Sequence, residues 1–137
     1  MNTSTWLSRL LALGAVLEIP VGLGLLIVPS LLSTLLLGAP LSGAGLIVAR
    51  LGGGGLLALG IACWCARSTP TVQASLGVAA SLLTYNAIAC VTLVLVPPGP
   101  GSRALLLGVA VLHGLLAVGL LGALMVGARQ RGALLDH

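Results

Sequence analysis

Five side chains in this 137-residue sequence could do chemistry in otherwise apolar surroundings: Glu18, Arg50, Tyr85, Asn86 and His113. Glu18 can take up or release a proton, or hold a ligand through its carboxylate. Arg50 can act as its counter-ion or as an anchor for an anion. Tyr85, Asn86 and His113 can orient a bound molecule by hydrogen bonds, and His113 shares with Glu18 the capacity for proton chemistry. The same residues also allow a structural reading. Glu18 and Arg50 would then be an ion pair joining two helices, and Asn86 and His113 interhelical hydrogen-bond partners worth under about 1–2 kcal/mol each.

The elements that must carry these groups are set by composition. Hydrophobic residues make up 58% of the chain and charged ones 6%, far below the quarter expected of a soluble domain, so lipid is the expected solvent. The same counts exclude disorder, which needs low hydrophobicity and high charge. Four continuous apolar segments, at about 7–28, 44–66, 72–96 and 103–127, each approach the ~20 residues needed to cross a bilayer core. They do not alternate as β-barrel strands would. The expected fold is therefore all-α: one membrane domain over 1–137, with four transmembrane helices in an up-down bundle. Met1–Arg9 could pass for the basic start of a signal peptide. Glu18 inside the apolar stretch and the lack of a small-x-small site after it favour a retained first helix.

Loop residues punctuate these spans. Pro29-Ser30 closes the first, and Pro97-Pro98-Gly99-Pro100-Gly101-Ser102 separates the third and fourth. Thr69 is an expected N-cap for the third span, with Pro70 at its first position. Residues 29–38 have a helix start and a glycine stop but are too short to span, which predicts a short interfacial or re-entrant helix between spans one and two. With the N-terminus inside, Arg9, Arg67, Arg129 and Arg131 fall on the inner side and only Arg103 on the outer, a positive-inside pattern. Both termini are then expected in the cytoplasm, with Trp6 and Trp64 at the inner interface. An arginine-only, leucine- and glycine-rich composition suits a GC-rich bacterial genome and hence a bacterial inner membrane.

Helix rise puts the chemical side chains at a common depth. Glu18, Asn86 and His113 each lie ten residues, about 15 Å, from the outer ends of their spans. Arg50 lies about 9 Å from its outer end and has a long side chain. One turn beyond each of four of them is a small residue: Gly22, Gly54, Cys90 and Ala117. Gly14 precedes Glu18 by one turn. Small residues at this spacing let helices approach or leave room for a ligand. Pro20 cannot donate to the Val16 carbonyl, which predicts a break in the helix beside Glu18, as in transport sites.

Other signals are weaker. Gly52-Gly53-Gly54-Gly55 lacks the Lys-Ser/Thr sequel of a phosphate loop and reads as close helix packing. Gly119, Ala123 and Gly127 form a small-residue row suited to another helix or another subunit. Cys63, Cys65 and Cys90 read as buried inert thiols, because a C-x-C pair alone is a poor metal signal. His113 is the single histidine inside a span, which disfavours a bis-histidine haem within one chain. No Ser-His-Asp arrangement or paired carboxylate is present.

The stretches Leu35-Leu36-Leu37-Gly38, Arg50-Leu51-Gly52-Gly53, Leu56 through Arg67 (LLALGIACWCAR) and Tyr85-Asn86 resemble a group of small four-helix bacterial membrane proteins with no assigned activity. The resemblance covers about residues 10–120 and implies that Arg50 and Tyr85-Asn86 are recurring features. The chain is also similar to the small multidrug-resistance transporters in its length, four spans and one acidic residue in the first. It departs from them in its scarcity of aromatics and in Arg50, which would compete with a cationic substrate for Glu18. The expected function is a site for a small molecule or proton formed by Glu18, Arg50, Tyr85, Asn86 and His113, with no metal, an unknown cofactor and a transport-related role. The alternative is an accessory subunit of a membrane complex or a homo-oligomer in which the Glu18–Arg50 pair is structural. The lipid bilayer and a homo-oligomeric or membrane-protein partner are the expected partners; nucleic acid is not.

Overall fold

The computed structural model describes residues 3–68, 72–97 and 103–135. Among these the chain forms five helices and no strand: α1 (Thr3–Ile27), α2 (Pro29–Leu37), α3 (Ala44–Ala66), α4 (Val72–Leu95) and α5 (Arg103–Leu135). Four of them are long and apolar enough to cross a membrane, and the chain is a multi-pass membrane protein. Large apolar side chains point outward along all four, among them Ile27, Leu51, Leu95 and Val118, each more than 70% exposed. This is the arrangement expected when lipid, not water, surrounds the bundle.

The short helix forms as expected. Pro29 occupies its first turn, where a missing N–H costs nothing. Gly38 closes it with φ 79°, a left-handed conformation suited to glycine, and its N–H reaches the Thr34 carbonyl at 3.0 Å. Ser33 Oγ donates to Ala39 O at 2.6 Å and Ser30 Oγ to Leu41 O at 3.2 Å, folding the following loop back onto α2.

The long helices form an up-down ring in the order α1, α3, α4, α5. α1 and α3 make the most intimate pair, and α4 and α5 the second. Both pairs are antiparallel. Ser8, near the start of α1, donates to the carbonyl of Arg67 just past the end of α3 at 2.7 Å. Farther along, Gly22 meets Gly53. In the other pair Asn86 meets His113, Cys90 meets Gly114, and Leu76 meets Gly127. Ser75 Oγ donates to Ala66 O at 3.0 Å, so the last carbonyls of α3 are taken up by side chains from α1 and α4.

The apolar core is concentrated toward the Arg67 end. Leu7, Leu10, Leu11 and Ala15 of α1 pack with Cys63 and Ala66 of α3, Ala79 and Leu82 of α4, and Leu116, Leu120 and Ala123 of α5. Trp6 and Trp64 lie at this same end, both exposed.

One local expectation is corrected. α1 is not interrupted at Pro20; the helix runs through it to Ile27. Pro20 is exposed, so its ring faces away from the bundle. The fourth candidate span, Arg103–Arg129, lies within the longer helix α5, which continues to Leu135. The small-residue row on α5 faces other helices of its own chain: Gly119 lies against Leu10, Ala123 is in the core, and Gly127 lies against Leu76. Thr69, Pro70 and most of the Pro97–Ser102 turn lie outside the described residues.

Candidate functional site

The α1–α3 seam is built by glycine. A Cβ placed on Gly22 would come within 2.7 Å of the Leu57 amide nitrogen and 2.8 Å of the Gly53 carbonyl oxygen. A Cβ on Gly53 would in turn come within 2.8 Å of the Gly22 carbonyl oxygen. The two backbones are therefore in direct contact, which only residues without side chains permit. Of the four consecutive glycines, Gly53 makes this contact, and Gly52, Gly54 and Gly55 face open space.

Two turns along α3 toward the Arg67 end, Gly60 completes the seam. Its Cβ would meet Ile19 N at 3.1 Å and Glu18 Cβ at 3.3 Å. The close approach that glycine allows here buries Glu18, which is 2% exposed. Glu18 Oε1 is buried with no hydrogen-bond partner. Such a group is unusual, because native structures pair nearly every buried polar atom.

The second half of the site comes from α4 and α5. Asn86 is fully buried. Its Nδ2 donates to the Leu82 carbonyl, one turn back on α4, at 2.8 Å, and its Oδ1 lies 2.8 Å from His113 Nδ1. An amide oxygen only accepts, so the network assigns the proton to Nδ1 of His113. In the neutral ring, Nε2 then presents a lone pair. The Tyr85 ring meets the His113 ring edge to face, with centroids 5.6 Å apart and an interplanar angle of 82°. Among the described residues, neither His113 Nε2 nor the Tyr85 hydroxyl has a hydrogen-bond partner.

The two halves converge. The space beside Gly14 of α1 is filled by the Leu82 side chain of α4, at 2.5 Å from the position of a Cβ. α1 and α4 run in the same direction, and Glu18 and Asn86 each lie four residues, about 6 Å, beyond that contact. Glu18 and Asn86 thus lie at about the same level, with His113 and Tyr85 beside Asn86.

Arg50 does not join them. It is exposed and makes no ion pair with Glu18. It sits ten residues before Gly60, about 15 Å of helix rise away, beyond the Gly22–Gly53 contact. The structural ion pair expected between these residues is absent. Arg50 is separated from Glu18 by depth and by rotation: it lies roughly 60° from Gly53 and roughly 80° from Gly60 around α3.

Of the three cysteines expected to be buried, Cys63 is, whereas Cys65 is exposed and Cys90 half-buried. Cys63 is fully buried and belongs to the stripe Gly53, Leu56, Gly60, Cys63 that faces α1 and the core. That 3–4 spacing was the signal available for it. Among the described residues, no group of three His, Cys, Asp or Glu side chains could hold a metal ion. The arrangement can accept or release a proton at Glu18 and accept a hydrogen bond at His113 Nε2. It can also exchange one with the Tyr85 hydroxyl. Comparison with family models, with curated proteins and with solved structures returns no match for this chain.

Proposed function

We propose that this multi-pass membrane protein uses the cluster of Glu18, Tyr85, Asn86 and His113 to bind a proton or a small polar molecule, in a role connected with transport. The observation that carries the reading is Glu18 Oε1, buried between glycine-lined backbones without a partner. A group held this way costs about 1–3 kcal/mol or more, so a sequence that keeps it without structural return keeps it for a task. Asn86 acts as the positioning residue: bonded to Leu82 O, it holds His113 in one tautomer with Nε2 directed away from that bond.

The setting we propose is the inner membrane of a bacterium, with both termini in the cytoplasm. It is supported by the arginine distribution, with Arg9 and Arg67 at one end of the bundle and Arg103 at the other. The test is a high-resolution map of the purified protein in lipid, compared with the same map of Glu18→Gln. Ordered water or ligand density touching the Glu18 carboxyl, lost or displaced in the variant, is expected. A dry, closed contact around Glu18 in both would overturn the reading.

A further inference from the structure

A second site lies on the outer face of the α1–α3 pair, away from the polar cluster. Ala15, Val16, Ile19 and Pro20 of α1 and Trp64 of α3 line an open groove of about 350 Å³ whose walls are almost wholly apolar. That volume is within the range of ligand sites, roughly 300–1,000 Å³. The groove runs from Ala15 to Pro20 of α1, about 7.5 Å along the axis, with Trp64 as its wall on α3.

A cation stands against that wall. The Arg67 guanidinium carbon lies 3.6 Å from the centroid of the Trp64 ring, stacked on a residue that also walls the groove. Its Nε is buried and has no hydrogen-bond partner. Its side chain makes no ion pair among the described residues, so a planar, permanently charged group is held in place against the indole. The Ser8 hydroxyl, bonded to the Arg67 carbonyl at 2.7 Å, ties the backbone beneath it to α1. Arg9, the next residue on α1, is exposed at the same end.

An apolar groove open to lipid, one wall of which is the tryptophan that carries a stacked guanidinium, matches one chemistry: an acyl chain continuous with an anionic phosphate headgroup. We propose that this groove binds one anionic phospholipid, with a chain against Val16, Ile19 and Pro20, its path bounded by Trp64, and its phosphate on Arg67. Stacking on Trp64 presents the guanidinium edge to the phosphate. Arg9 adds positive charge at the same level. The site is independent of the Glu18 cluster, so either reading can fail without the other.

The experiment is native mass spectrometry of the full chain released from micelles doped with equal amounts of phosphatidylglycerol and phosphatidylcholine. One phosphatidylglycerol is expected to be retained in preference to phosphatidylcholine. Arg67→Gln should reduce that preference on the order of tenfold, the loss of one charge-assisted contact, and Arg67→Lys should restore part of it. Val16→Trp, at an exposed position that does not perturb the core, should reduce retention of both lipids by filling the groove. Inorganic phosphate should not compete, because it has no chain to occupy the groove. Equal retention of the two lipids overturns the proposal, as does competition by inorganic phosphate. A preference unchanged in both Arg67→Gln and Val16→Trp overturns it too.

Discussion

Asn86 and Glu18 are buried at the same level on helices that run in the same direction, yet the chain satisfies one and leaves the other unmet. Asn86, in the α4–α5 pair, donates to Leu82 O and accepts from His113. Glu18, in the α1–α3 pair, is pressed against Gly60 with Oε1 unpartnered. The pairs are held together differently. α4 and α5 are joined at this level by a polar side-chain contact, whereas α1 and α3 are joined by backbone against backbone at Gly22 and Gly53. The glycine seam is strong enough in packing terms to bury an acid that contributes no bond of its own.

Breaking the seam should have the largest effect. Gly22→Leu would drive a side chain into the Leu57 and Gly53 backbone, which cannot move aside as a flexible side chain could. Overpacking typically costs about 1–3 kcal/mol, and backbone contact puts this case at or above the upper end. Unfolding titration in mixed micelles should show loss of the folded bundle or destabilisation of about 3 kcal/mol or more. A near-native midpoint would mean that α1 and α3 are not in contact at this point.

Next come two substitutions to leucine with opposite signs. Asn86→Leu removes the second donor to Leu82 O and the partner of His113 Nδ1 and should destabilise by about 1–2 kcal/mol. Glu18→Leu removes an unpaired buried carboxyl at similar volume and should stabilise by about 1 kcal/mol or more in the same titration, while abolishing the site. If both destabilise equally, the comparison between the two groups is broken and Glu18 is structural.

The smallest effects sharpen the pairing. A double-mutant cycle on Asn86 and His113 should show coupling near the ~0.6 kcal/mol average for such contacts in membranes. The same cycle on Glu18 and Arg50 should show coupling indistinguishable from zero, because Arg50 is exposed and apart. Measurable coupling there would restore the ion pair that the sequence suggests.

Much of the architecture was legible because it depends on length and apolarity. The four spans needed only their runs of Leu, Val, Ala and Gly, and the Pro29–Leu37 helix only its proline start and glycine stop. The level shared by Glu18, Asn86 and His113 followed from a constant rise per residue. Arg50 was misassigned because depth is one coordinate of a helical residue and azimuth the other. The Gly53, Leu56, Gly60, Cys63 stripe fixes the azimuth of α3 and turns Arg50 away from Glu18. α5 outruns its apolar span because hydropathy marks where lipid should stop, whereas the helix stops only where its backbone does. The groove walled by Trp64 was not legible at all, since it depends on which faces of α1 and α3 remain uncovered after they pack.

The central claim is that the Glu18 carboxyl is a working acid in an otherwise sealed seam. Infrared difference spectroscopy of the protein reconstituted in lipid tests it most directly, by following the carbonyl stretch of a protonated carboxylic acid as pH is varied. Asp136 is the only other acidic side chain in the chain, so subtraction of the Glu18→Gln spectra isolates the residue of interest. The account predicts a band that appears and disappears reversibly with pH in the wild type and is missing from the variant, with the helical amide signal unchanged in both. A Glu18 band that stays constant over the whole pH range in which the bundle remains folded would contradict it.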